Sequence, residues 1–304
     1  MITGSRNPRR GGDTVSEAQL GERVVLTLSC VDRPGIVYAV AGFLVGEGAT
    51  ILSSQQFNDL DSGRFFMRIE FAHADGKPLI VDEIADRFQG VAEELDLTWR
   101  MVDAAVRTRV LILVSKAAHC LNDLLFRNSM GELNLDVAAI VSNHPDLEYV
   151  ADSYDVPFRH IPVTPDTKRA AEDALWDLIQ RERVELVVLA RYMQILTGEL
   201  CEKLSGRAIN IHHSILPSFK GARPYHQAHR RGVKLIGATA HYVTADLDEG
   251  PIIDQQQVPV DHSMSADEFV ASGRDLEARA LARAVRWHTE NRIIRNGVRT
   301  VVLR

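Results

Sequence analysis

Three side chains in the C-terminal half of the sequence are the kinds that attack on a carbonyl requires. Asn210 and His212 stand two apart in "NIHHS", and Asp248 follows in "DLDEGP". The run before His212 is apolar and reads as a β-strand. Asn210 and His212 then project from one face while His213 projects from the other. An amide N–H beside an imidazole can stabilise a developing oxyanion, and the imidazole can move a proton near neutral pH. An isolated N-x-H would more simply serve a turn or a cap. The segment "HYVTADLDEGPIIDQ" changes that balance, because it puts His241 on a strand and a carboxylate, Asp248, in the loop behind it. Such a carboxylate can take a proton, orient water or hold an imidazolium in place. Asp246 reads as a solvated loop acid and Asp254 as an edge charge. His213, His226 and His229 read as structural or surface groups.

Other chemistries fit less well. H-E-x-x-H is absent, and the adjacent histidines of "IHHS" face opposite ways, so no metal is expected. Ser214 is not in a G-x-S-x-G elbow, which leaves water as the nucleophile. The segment "SKAAHCL", residues 115–121, follows an apolar strand where a phosphate-cradling loop would stand, and it contains no glycine. Without glycine the backbone approaches a pyrophosphate poorly, which speaks against a nucleotide there. Ser115 and His119 either line a site or cap and flank a helix.

The elements that must position these groups fall into two patterns. "RVVLTLSCV" reads as a strand, Pro34 opens a helix that ends near Gly46 and Gly48, and two strands follow, joined by a turn at residues 59–63. Leu79, Ile80, Ile84, Phe88 and Val91 share one helical face, and "LTWRMVD" closes as a strand. The order βαββαβ is ferredoxin-like. From "RVLILV" onward, strand and helix signals alternate. That pattern predicts a doubly wound, mainly parallel sheet and a long helix from about 265 to 290, followed by a final strand, "TVVL". The expected layout is a disordered tail over 1–20, a small regulatory unit over 21–104 and a catalytic domain over 108–304.

Bulk properties exclude several classes. The chain has 304 residues, 45% of them hydrophobic and 25% charged, and a net charge of −6. Two folded domains are the better expectation for that length. Nothing suggests a nucleic-acid or membrane surface, and the apolar runs are strand-sized. Three widely spaced cysteines suit a reducing cytoplasm.

Two stretches carry family resemblances. "DRPGIV", at residues 32–37, with its following helix and alternating strand, resembles the ACT domain, a small ligand-sensing module. "INIHHSILPSFKGARPYHQAHRRGVKLIGATAHYVTADLDEGPIIDQ" resembles the signature block of the formyltetrahydrofolate-dependent formyltransferase fold, over about residues 108–296. N-x-H, L-P-S-[FY]-x-G, G-x-T-x-H and D-x-G-P-I occur in order at that family's spacing. The resemblance implies Asn210, His212 and Asp248 as the catalytic trio. It implies a pterin-binding segment at Met193, Gln194, Ile195 and Leu196, with a loop that includes Val243 and Thr244. Ser115, His119 and His241 are expected to support the substrate site. An ACT-like unit ahead of this domain, with "SKAAHCLNDLLFR", "LARYMQIL" and "GRDLEARALARAVRWHTENR", is similar to the deformylase branch. That branch implies hydrolysis of 10-formyltetrahydrofolate to tetrahydrofolate and formate, feeding one-carbon and purine metabolism. No cofactor is expected, and a homo-oligomer (dimer or tetramer) with an amino-acid effector is. The alternatives are formyl transfer to an amine and a non-catalytic folate or amino-acid sensor.

Overall fold

A computed structural model describes residues 22–216 and 224–304. The expected tail over 1–20, and the part of the L-P-S-[FY]-x-G motif beyond Leu216, lie outside the described residues. The chain divides into two compact units between Ala105 and Val106.

The first unit runs β1 (Val24–Val31), α1 (Ile36–Gly46), β2 (Ala49–Asp59), β3 (Arg64–His73), α2 (Val81–Glu94) and β4 (Thr98–Asp103). Its sheet order is β2-β3-β1-β4, with every pairing antiparallel. This is the ferredoxin-like arrangement, consistent with an ACT-like domain. Val40 and Leu44 of α1 and Ile84 and Phe88 of α2 bury their side chains against Leu26, Leu28, Met67 and Ile69. Phe88 stands edge-on to both Phe43 and Trp99, at 5.1 and 5.0 Å. One expected core position fails. Ile80 is 58% exposed, because α2 begins at Val81 and Ile80 is its N-cap, ahead of the helical period.

The second unit continues with β5 (Thr108–Val114), α3 (His119–Ser129), β6 (Leu135–Ser142), α4 (Glu148–Asp152), β7 (Phe158–His160) and α5 (Lys168–Arg181). Then come β8 (Leu186–Leu189), α6 (Gly198–Lys203), β9 (Ala208–His212), α7 (Pro224–Arg231), β10 (Leu235–Tyr242), β11 (Ile252–Pro259), α8 (Ala266–Thr289), β12 (Ile293–Asn296) and β13 (Arg299–Val302). The seven-stranded sheet has the order β11-β10-β9-β8-β5-β6-β7. Five strands are parallel, and β10 and β11 run antiparallel at one edge. The expected closing strand "TVVL" forms a separate hairpin with β12 instead of joining this sheet.

Why β5 is apolar throughout is visible in its two faces. Val110, Ile112 and Val114 pack with α3 and α8 residues such as Leu121 and Leu281, whereas Leu111 and Leu113 pack with Leu175 and Ile179 of α5. A strand covered on both sides needs no polar alternation. The long helix α8 starts on a capping box, in which Ser265 and Glu268 satisfy each other's backbone N–H groups.

Candidate active site

The pairing of β9 with β10 sets His241 directly opposite Asn210. Both side chains therefore lie on one face, and Asn210 Nδ2 is 3.2 Å from His241 Nε2. The tautomer follows from the other ring nitrogen. Nδ1 of His241 is 2.9 Å from the Tyr242 carbonyl oxygen, which can only accept, so Nδ1 carries the proton. Nε2 then accepts from the Asn210 amide, which keeps a second N–H for another partner. Burial holds the His241 pKa below its ordinary value, in keeping with a neutral ring.

The third member arrives from the loop between β10 and β11. Asp248 Oδ1 lies 3.1 Å from His212 Nδ1 and 3.7 Å from His241 Nε2. The hydrogen bond from His212 holds the Asp248 carboxyl below the usual carboxylate range, against burial, which pulls the other way. Two backbone features deliver it. Asp248 has φ +60°, a left-handed conformation that Asp tolerates better than most residues. Gly250 packs so closely under Tyr242 that a Cβ there would sit 1.8 Å from the Tyr242 carbonyl oxygen. That carbonyl is the one that accepts from His241. Asn210, His212, His241 and Asp248 thus converge, while Asp246 is exposed.

The other expected substrate residues divide. Ser115 is buried at the end of β5, where its hydroxyl donates to Asn143 Oδ1 (2.6 Å) and accepts from the Met193 N–H (3.0 Å). It anchors the backbone of the 193–196 segment. Core packing would have buried Met193 and Ile195, but they are 60% and 59% exposed, and only Leu196 is buried. Gln194 and Val243 are half-buried, and Thr244 is exposed, with its hydroxyl donating to the Asp246 carbonyl at 3.0 Å.

His119 belongs to a cluster that sequence reasoning did not find. Glu277 of α8, 1% exposed, accepts from the Tyr225 hydroxyl at 2.8 Å through Oε1. Its Oε2 lies 2.8 Å from His119 Nε2 and 3.3 Å from Arg191 Nε. Burial opposes ionisation of Glu277, but the His119 hydrogen bond and the Arg191 charge outweigh it and hold the carboxyl below its usual range. Gly273, one turn earlier, has no side chain, and a Cβ there would meet the Tyr225 ring at 2.1 Å. Donor atoms of His119, Cys120 and Glu277 come within 4.8 Å of one another, a grouping that could suggest a metal. However, the carboxylate already has its counter-charge in Arg191, and burial pushes the Cys120 thiol well up. The available signal was a lone Glu among the buried α8 positions Gly273, Leu276, Ala280, Leu281 and Ala284.

Of the two readings offered for His213, structural or surface, the geometry fits the first. Instead of facing outward, its ring meets that of His212 edge-to-face at 4.9 Å, and its Nδ1 is buried without a hydrogen-bond partner among the described residues. Burial, followed by the Arg191 and His212 charges, pushes its pKa down to about 4.

An amide, two imidazoles and a carboxylate gathered where a parallel sheet turns antiparallel match the order of motifs of one family. The sequence model described as formyl transferase matches residues 108–285, and the chain belongs to that family. Within it, the chain is 52% identical over 282 residues to formyltetrahydrofolate deformylase of Corynebacterium sp. (strain P-1), covering 93% of this chain and 98% of the relative. The crystal structure of formyltetrahydrofolate deformylase from Burkholderia mallei superposes with a TM-score of 0.89 at 51% identity, covering 93% and 100% of the two chains. That of the deformylase from Pseudomonas syringae gives 0.90 at 45% identity, covering 94% and 96%.

Proposed function

We propose that this protein hydrolyses 10-formyltetrahydrofolate to tetrahydrofolate and formate, serving one-carbon and purine metabolism. The observation that carries the reading is the convergence of Asp248 on His212, beside an Asn210 amide held by His241. Relatives 52% and 51% identical to this chain and matched over nearly their whole length bear the deformylase name.

The geometry supports the following roles. With Nδ1 committed to Asp248, His212 has Nε2 free for the reacting groups, and Asp248, depressed in pKa, is the weaker base of the pair. His212 takes a proton from water, whose oxygen forms a bond to the formyl carbon. The oxyanion is stabilised by the free Asn210 N–H. The C–N10 bond then breaks, and N10 receives the proton that His212 holds. The formic acid released ionises to formate. The exposed side chains of Met193 and Ile195 and the half-buried Gln194 fit an edge against which a flat ring system packs, and Val243 and Thr244 belong to the loop assigned to the same ring. Ser115 and His119 act by positioning the surrounding chain, and no cofactor enters these steps.

The test is formate release by purified protein beside Asp248→Asn. Equal rates would overturn the mechanism. Formyl transfer to an added amine, without formate, would favour the transferase alternative.

For the unit ending at Ala105 we infer an ACT-like regulatory role with an amino-acid effector and a homo-oligomer, dimer or tetramer. Its βαββαβ order and the partly exposed apolar residues Ile51 and Phe57 on edge strand β2 support this. A monomer in light scattering would count against it. Three free, buried thiols support a cytoplasmic location, and no helix among the described residues is long and apolar enough to cross a membrane.

A further inference from the structure

Six non-glycine residues among those described have positive φ. Asp96, Asp155, Arg183 and Asn291 closely follow the ends of α2, α4, α5 and α8, where a left-handed residue is an ordinary helix ending. The remaining two are Asp248 and Arg191, the latter at φ +66°. Backbone held in this region away from a helix end costs energy, and such residues cluster where function needs them.

Arg191 stands just past the end of β8. Leu189, the last residue of β8, pairs in parallel with Asn210 of β9, so Arg191 leaves the sheet at the end of β8 that lies beside the end of β9 carrying His212. The electrostatic influence of Arg191 on the His213 ring, which touches His212, agrees with that placement. Its Nε faces Glu277 at 3.3 Å, but neither terminal nitrogen makes a hydrogen bond among the described residues, and the side chain is 18% exposed. Glu277 in turn is fixed by Tyr225 and His119. The result is a guanidinium braced from behind by Glu277, with its fork of N–H groups unclaimed and its charge felt by His213, the neighbour of His212.

We propose that the open fork of Arg191 is a subsite for a small carboxylate, namely the formate product. The inference rests on the hydrolytic reading. Hydrolysis turns a neutral formyl amide and water into an amine, formate and a proton, so a full negative charge appears only after the C–N bond has broken. A planar guanidinium matches a carboxylate with two parallel hydrogen bonds. Held back by Glu277, it draws the anion away from the amide nitrogen and opposes the reverse reaction.

The decisive variant is Arg191→Gly, since glycine is at ease at φ +66° and the backbone keeps its course. Arg191→Gly/Glu277→Gln removes the buried charge that the single change leaves unpaired. Formate binding is read by titrating ¹³C-formate against full-length protein in NMR and by product inhibition at constant ionic strength, with chloride as the control salt. Loss of a charge-assisted bidentate contact should weaken formate about 10- to 100-fold in both variants, and leave inhibition by tetrahydrofolate within about twofold. Arg191→Lys should fall between. Three results overturn the proposal: formate that affects the wild type no more than chloride does, formate that binds the wild type and both variants equally, or a rise in substrate KM with formate inhibition unchanged. The last would assign the fork to the glutamate carboxylates of the substrate. Absence of formate release by the wild type would instead overturn the hydrolytic reading itself.

Discussion

The Asp248 carboxylate reaches Nδ1 of His212 at 3.1 Å from a backbone in the left-handed region, and Gly250 lets the loop lie close enough for that contact. Asn tolerates the same backbone, so Asp248→Asn should fold normally. It removes the negative charge that orients and stabilises the imidazole. Turnover should fall by about 10²- to 10⁴-fold with an unchanged melting temperature, measured by single-turnover formate release beside thermal unfolding.

Asn210 tests a different contribution. Asn210→Ala removes the N–H proposed to face the oxyanion and leaves His212 paired with Asp248. The loss should be roughly 10²- to 10³-fold in kcat, with little change in KM, because the donor matters most in the transition state. A rise in KM with kcat preserved would assign the amide to ground-state binding instead.

Gly250→Ala should damage stability and activity together. Its Cβ would overlap the Tyr242 carbonyl, and that oxygen is backbone that cannot swing aside. Overpacking of this kind costs about 1–3 kcal/mol, readable as a lower urea midpoint. The displaced loop should also lose the Asp248 contact, so kcat falls further than the lost stability alone explains.

The pH dependence of stability should carry the signature of His213. Its folded pKa of about 4 lies below the ordinary 6.5, so between those values the unfolded chain binds a proton that the folded chain refuses. Stability is therefore full above pH 6.5 and falls as the pH drops towards 4, by up to about 3 kcal/mol at about 1.4 kcal/mol per pKa unit. The charged and titratable groups that act on this ring are Arg191, His212, Glu277 and Asp248. Urea midpoints at pH 7.5 and 5 measure the slope, and His213→Phe should flatten it.

Much of the site was legible because strand periodicity fixes relative faces. Asn210 and His212 share a face by spacing alone, and the D-x-G-P turn announced a loop that could return a carboxylate. What spacing does not encode is the partner across the sheet. The pairing of Asn210 with His241 depends on the β9–β10 register, a relationship between residues 31 positions apart. His213 stayed open between structural and surface because alternation says which way a side chain leaves its strand, not what covers that side. Glu277 and Arg191 were missed because each looks like a surface charge until Tyr225, His119 and Gly273 close around them. The terminal hairpin shows the same limit, since an apolar run predicts a strand but not the sheet it joins.

The antiparallel register of β9 and β10 has one more consequence. Side chains alternate along a strand, so sliding β10 by a single residue would set Ala240 or Tyr242 opposite Asn210 and turn His241 to the other face. A chain mispaired in this way would keep its hydrogen-bonded ladder and much of its apolar burial, yet would not assemble the proposed catalytic centre. Turnover in this fold is thus an assay of alignment. It reports whether two neighbouring strands have been zipped to the correct tooth.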